Sequence, residues 1–135
     1  MAETFQFELV SPERLLMSEP AEQVVVPGTE GYFTVMKGHA PFMSTMRPGV
    51  VDVTREGNAL ERIFVRGGFA DVSIDGLTIL AEQAIPLSEV NREELAQDIR
   101  NLEEDVADAA DADKKAAAEL QLQQIREVQA ALGNG

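Results

Sequence analysis

The sequence has no cysteine. Neither a disulfide framework nor a thiolate metal site can form, and the redox compartment leaves no trace in the chain. Histidine occurs once, as His39, so the usual zinc ligand sets are excluded as well. No apolar run approaches the roughly 20 residues that a membrane-spanning helix needs. The opening Met-Ala-Glu-Thr-Phe-Gln-Phe-Glu is acidic and lacks a signal-peptide apolar core, and it is unlike an arginine-rich transit peptide. These features predict a soluble chain that is neither exported nor a mitochondrial precursor, in a bacterial cytoplasmic setting. Basic residues are scarce too: 11 Lys and Arg stand against 24 Asp and Glu, for a net charge of -13. With a pI near 4.3, the chain would be repelled by nucleic acid and by anionic lipid, and a basic partner suits it better.

What is present divides in two. A chain of 135 residues holds one ordinary domain, or a small domain with an appendage, and 44% hydrophobic content is enough for a core. All six prolines lie at or before Pro86, all seven aromatics at or before Phe69, and eight of ten glycines at or before Gly76. After Leu87 the composition turns to Ala, Glu, Asp, Gln and Leu. The boundary is therefore expected near residue 87, with a β domain over 1–87 and a helical domain over 88–135.

In the first part, Phe5, Phe7 and Leu9 alternate with Gln6 and Glu8, the pattern of a half-buried strand that Pro12 ends. Leu15-Leu16-Met17, Val24-Val25-Val26, Phe33 to Met36, Val50 to Val53 and Leu60 to Val65 supply further strands. Gly57-Asn58 and Asp75-Gly76 read as hairpin turns, the latter between Val72-Ser73-Ile74 and Leu77 to Leu80. Gly67-Gly68 marks a bulge or a close backbone approach. Many short strands without an intervening helix predict an antiparallel β-sandwich or barrel.

The densest signal runs from Val24 to Gly49, where four glycines and three prolines separate short apolar runs. Pro27-Gly28-Thr29-Glu30-Gly31 is expected to turn between two strands. In Gly38-His39-Ala40-Pro41, the proline restricts Ala40 to extended geometry while Gly38 can adopt angles closed to other residues. A stiff surface loop follows.

In the second part, Asn91 and Glu94 form a capping-box pattern, bracketed by Val90 and Leu95. Leu95, Ile99, Leu102, Val106 and Ala110 share a face at helical spacing. The segment 109–113 breaks the pattern and offers Asp111 or Asp113 as a second cap. Ala118, Leu122, Ile125, Val128 and Leu132 then share a face, Leu120 lies off it, and Gly133-Asn134-Gly135 ends the helix. Two such helices make an antiparallel hairpin, so the fold class is α+β.

No active site emerges. A triad on His39 needs an activated hydroxyl, Ser44 or Thr45, and an orienting Asp that nothing in the sequence supplies. The acidic run from Glu103 to Asp113 lacks the alternation and glycine of a calcium loop. No Walker-type phosphate loop occurs, and Gly67-Gly68 lacks the context of a dinucleotide site. Glu93-Glu94 and Glu103-Glu104 are helix neighbours whose carboxylates diverge. Catalytic residues, metal and cofactor are all expected to be absent.

The motifs Pro-Gly-Thr-Glu-Gly (27–31), Gly-His-Ala-Pro (38–41), Arg47-Pro48-Gly49, Val65-Arg66-Gly67-Gly68-Phe69-Ala70-Asp71-Val72 and Leu80-Ala81-Glu82-Gln83-Ala84 occur in one order. In that order they resemble the epsilon subunit of F-type ATP synthases, the counterpart of mitochondrial delta, over effectively the whole chain. The resemblance implies a noncatalytic central-stalk rotor subunit, peripheral on the cytoplasmic face of a bacterial inner membrane. It would join gamma to the c ring without inserting in the membrane, and couple ion translocation, with the proton as the expected ion, to ATP synthesis. Gly28, Glu30, Gly31 and Tyr32 in one loop and His39, Ala40 and Pro41 in the next would contact the c ring or gamma, Glu30 meeting a basic side chain. The C-terminal helices would be the route to alpha and beta subunits.

Two departures matter. Thr34 and Lys37 stand where many family members have glycine and proline, which predicts a looser approach to the His39 loop. Val90-Asn91-Arg92-Glu93-Glu94-Leu95 lacks the Asp, Arg and Ala of the ATP-binding motif of some relatives, which argues against ATP binding. Inhibition of ATP hydrolysis by the C-terminal helices stays open, since the second helix offers only Lys114, Lys115 and Arg126 for acidic surfaces. Two other readings compete with the rotor subunit: a free-standing nucleotide-responsive regulatory module, and a hydrolase using His39.

Overall fold

In the computed structural model of the protein, which describes residues 3–13 and 15–133, the chain falls into two units, Met1–Leu87 and Ser88–Gly135. The first unit carries seven strands: β1 Phe5–Val10, β2 Leu15–Gly28, β3 Gly31–Met36, β4 Phe42–Arg55, β5 Leu60–Ser73, β6 Gly76–Ala81 and β7 Ala84–Pro86. Their order is β1-β6-β5-β4-β2-β3, with β7 on β5 and a further β1–β2 pairing that brings the first strand back against the second. The expected β-sandwich or barrel is what forms, followed by two helices.

Three strands, β2, β4 and β5, are each 14 residues long. Leu15 to Met17 and Val24 to Val26, expected as separate strands, are one strand, and Arg47-Pro48-Gly49 lies inside β4. Length lets one strand serve two neighbours. β5 pairs with β7 through Ile63 to Val65 and with β6 through Gly68 to Ser73. It changes partner at Gly67 and Gly68, whose φ angles of 108° and 126° favour glycine.

The turn between β2 and β3 is tighter than expected. Gly28 pairs with Gly31, leaving Thr29 and Glu30 as the whole loop, and Pro27 sits within the strand opposite Tyr32. Proline is tolerated there because the ladder to β4 is irregular between Val25 and Gly28, so no N–H is called for. The turn over Lys37 is also tight: the His39 N–H donates to the Met36 carbonyl at 3.0 Å, and Gly38 takes a φ of 88°. Lysine thus occupies the turn position that proline would favour without loosening it.

The Asp75-Gly76 turn is corrected in position. Ser73 pairs with Gly76, so Ile74 and Asp75 make the loop and Gly76 opens β6. Gly76 answers a different need. A Cβ there would lie 2.1 Å from the carbonyl oxygen of Gln6, because β1 pairs with β6 in parallel. That one parallel ladder departs from the otherwise antiparallel arrangement.

Phe7, Leu9, Val24, Val26, Val51, Val53, Val65, Ala70 and Ile79 are fully buried at the centre of the strands' core. Truncating Phe7 to Ala would cost about 3–5 kcal/mol through lost transfer energy and the cavity left behind.

In the second unit, α1 spans Arg92–Asp108 and α2 Ala112–Gly133. Asn91 Oδ1 accepts from the Glu93 and Glu94 amides at 2.9 and 3.1 Å, capping α1. Asp111 Oδ1 accepts from the Lys114 amide at 2.8 Å, which selects it over Asp113 as the cap of α2. The two helices pack together, and Leu95, Ile99, Leu122, Ile125, Val128 and Leu132 are buried. Ala110 falls outside α1 and is exposed, so the first stripe ends at Val106. Two polar contacts clasp the hairpin. Arg126 meets Glu103 at 2.8 Å, and the Arg92 guanidinium donates to the Leu132 carbonyl at 2.8 Å, satisfying a carbonyl of the last turn of α2. Of the expected stop, Gly133 ends α2, while Asn134 and Gly135 lie outside the described residues.

Candidate interaction surface

The residues singled out in the sequence occupy opposite ends of β3, a strand of six residues and so roughly 20 Å long. At one end is the Thr29-Glu30 turn, its tip exposed. It is fixed to β4: the Thr29 amide and hydroxyl both donate to the Thr45 carbonyl, at 3.0 and 2.8 Å. Gly28 cannot be enlarged, because a Cβ would lie 2.8 Å from the Gly31 carbonyl and 2.9 Å from the Phe33 ring. Tyr32, nearly half exposed, lies under the Arg47 guanidinium at 5.0 Å, and its hydroxyl accepts from the Val50 amide at 3.4 Å. The tip that carries Glu30 is thus held rigidly.

At the other end are His39, Ala40 and Pro41. His39 Nδ1 lies 2.7 Å from the carbonyl of Ala40, so that nitrogen carries the proton and donates it to the chain's own next residue. The ring is half-buried, 6.4 Å from Phe42, and lines an open cleft of about 330 Å³ with Met36, Ile74 and Asp75. The two hydroxyls considered as nucleophiles are engaged elsewhere. Ser44 donates to the Thr45 carbonyl, and the Thr45 hydroxyl bonds that of Thr29. Among the described residues neither a carboxylate nor a hydroxyl is hydrogen-bonded to the imidazole, and their geometry supports no triad. Among the described residues no group of three or more acids and histidines is placed to hold a metal ion, and no helix is long and apolar enough to cross a membrane.

A third surface was not found from the sequence. Residues opposite one another in a ladder point to the same face. Thr45 lies opposite Phe69, Phe69 opposite Leu80, Leu80 opposite Val10, and Val10 opposite Leu15. Five strands therefore contribute one row, on the side away from the buried Ala70, Ile79 and Leu9. Leu80 and Leu15 are 52% and 57% exposed, and Met43, two residues before Thr45, is 61% exposed. The row beside it is polar, with Asp71, Thr78 and Glu8 in register with Met43. The sequence held the signal: Leu9-Val10, Leu15-Leu16, Phe69-Ala70 and Ile79-Leu80 each place two apolar residues in succession, and in a strand one of each pair must face out.

Comparison with known proteins places this geometry. Residues 4–87 match the family model described as ATP synthase, Delta/Epsilon chain, beta-sandwich domain. Over 128 residues the chain is 49% identical to the ATP synthase epsilon chain of Parvibaculum lavamentivorans, covering 95% of this chain and 97% of that one. It is 50% identical over 132 residues to the epsilon chain of Mesorhizobium japonicum, covering 98% of each. Among solved structures it resembles a chain in the Euglena gracilis mitochondrial ATP synthase assembly of OSCP, F1 and c ring. The TM-score is 0.82 at 25% identity, over 98% of this chain and 83% of that one. With the β-sandwich matched nearly end to end and curated relatives matched at half identity over almost their whole length, the chain belongs to the epsilon-chain family of ATP synthases.

Proposed function

We propose that this chain is a noncatalytic rotor subunit of the central stalk of an F-type ATP synthase. It joins the gamma subunit to the c ring, with proton translocation as the coupled process and the cytoplasmic face of a bacterial inner membrane as its place. The observation that carries the reading is the partly exposed apolar row Phe69, Leu80, Val10 and Leu15, with Thr45 at its end. A contiguous apolar strip on a sheet's outer face marks a protein partner, and a joint that transmits torque needs a broad contact on a stiff support. Gamma is the partner assigned to that face. The Thr29-Glu30 turn, at one end of β3 and pinned to Thr45, is assigned to the polar loops of the c ring, with Gly28, Gly31 and Tyr32 shaping it. His39, Ala40 and Pro41, which lead into Met43 beside the apolar row, extend the gamma contact.

The hydroxyls of Ser44 and Thr45, bonded to the Thr45 carbonyl and to Thr29 and not to His39, support a chain without an active site of its own. Asn91, which occupies the Asp position of the family's ATP motif, uses its side-chain oxygen as a helix cap, which supports reading the hairpin as lacking ATP binding. In the same reading the acidic face of the hairpin gives alpha and beta subunits little to grip. The test is copurification of tagged chain from its native membranes. Recovery of alpha, beta, gamma and c subunits is the expected result, and loss of gamma from a Leu80→Glu variant ties it to the apolar row. Recovery of the chain alone would sink the assignment and favour the free-standing regulatory module.

A further inference from the structure

β3 is a free edge. It ends the sheet order and, among the described residues, pairs with β2 alone. In an antiparallel ladder, residues alternate between those bonded to the neighbour and those whose N–H and C=O point away. Pro27, which has no N–H, lies opposite Tyr32, and the closing pair of a two-residue hairpin is the bonded pair Gly28 and Gly31. Tyr32, Thr34 and Met36 are therefore the outward set, the Met36 carbonyl also accepting from the His39 N–H, and all three side chains are exposed. The edge carries none of the usual protection: Gly31-Tyr32-Phe33-Thr34-Val35-Met36 contains no charge and no proline. Its two ends carry opposite charges, Glu30 just before the strand and Lys37 just after it.

We propose that two copies of this chain associate in solution through the free edges of β3, antiparallel and about a two-fold axis at Thr34. The outward set fixes the register. Thr34 lies opposite Thr34 of the second copy, and Tyr32 opposite its Met36, so an aromatic ring meets a thioether on each side of the axis. Lys37 lies opposite Gly31 of the second copy and beside its Glu30, and symmetry makes that pairing twice. A parallel copy would instead bring Glu30 to Glu30 and Lys37 to Lys37. Elsewhere the net charge of -13 on each chain resists association, so this uncharged strand, bounded by opposite charges, is where a second copy is tolerated. The dimer covers Tyr32 and flanks Glu30, and on the function proposed above it competes with docking to the c ring. That competition rests on the functional reading; the dimer itself does not.

Sedimentation equilibrium of the full chain, from micromolar to millimolar concentration at physiological ionic strength, tests it. A reversible dimer is expected, with slowed hydrogen exchange at the Tyr32 and Thr34 amides as it forms. Thr34→Pro removes an outward N–H that bonds nothing within the chain, so it leaves the circular dichroism spectrum unchanged and weakens the dimer roughly tenfold or more. Lys37→Glu weakens it, and the exchange Glu30→Lys with Lys37→Glu restores it. A chain monomeric throughout, a dimer equally tight in Thr34→Pro, or a charge exchange that fails to restore affinity each overturns the proposal. None of these results alters what copurifies from membranes, so the stalk reading stands or falls separately.

Discussion

Gly68 lies so close to Leu80 that a Cβ on it would stand 2.2 Å from the Leu80 carbonyl oxygen and 2.8 Å from the Ala81 Cα. Both obstacles are backbone, and the φ of 126° is itself one that side chains avoid. At this point β5 leaves β7 and takes up β6, directly beneath the apolar row.

Replacing Gly68 by alanine should therefore cost about 3 kcal/mol or more, the sum of overpacking against immovable backbone and a strained dihedral. Gly38→Ala is the contrast. Its φ of 88° is also positive but nothing lies within 4 Å of the new Cβ, so about 1 kcal/mol is expected from strain alone. Urea unfolding of both variants measures the difference, and equal losses would remove the steric explanation.

The outer row separates binding from stability. Leu80 is half exposed, so Leu80→Glu should change the unfolding free energy by no more than about 0.5 kcal/mol. It should still abolish recovery of gamma with the tagged chain. The absence of cysteine makes Val10→Cys and Leu80→Cys clean single sites for cross-linking to the same partner.

The Asn91 cap predicts a graded effect. Asn91→Ala strands the Glu93 and Glu94 amides and should cost about 1 kcal/mol, whereas Asn91→Asp keeps the acceptor and should cost little. Helix content followed by circular dichroism against temperature distinguishes them. Addition of ATP should shift neither curve, since Glu94 and Leu95 stand where the ATP motif of some relatives has Arg and Ala.

Ending the chain after Leu87 tests the hairpin. All residues of the apolar row and of the Glu30 turn lie in the unit that ends at Leu87, so a reconstituted complex carrying the truncated chain should retain gamma and the c ring. Its ATP hydrolysis rate should match that of the complex with the full chain. A severalfold rise on truncation would assign an inhibitory role to α1 and α2.

The sequence was most informative where the physics is local. Phe5, Phe7 and Leu9 announce a strand by alternation, Asn91 caps a helix from its own neighbourhood, and Leu122, Ile125 and Val128 show their shared face at helical spacing. It was least informative where a residue answers to something distant. Gly76 looked like half of a turn, yet its lack of a side chain serves the parallel approach of Gln6, some 70 residues earlier in the chain. The Glu30 and His39 loops are close in sequence. They are separated by the length of β3.

Composition and periodicity alone determined that strands precede helices, that the surface is acidic, and that no thiol or paired-histidine chemistry is available. Each of these follows from residue identity and short-range spacing. Which apolar residues face outward was decided only by tertiary structure. Val10, Leu15, Phe69 and Leu80 become one strip solely because ladders among β1, β2, β5 and β6 align them. Ladder register between strands far apart in sequence depends on how all of them close around a shared core.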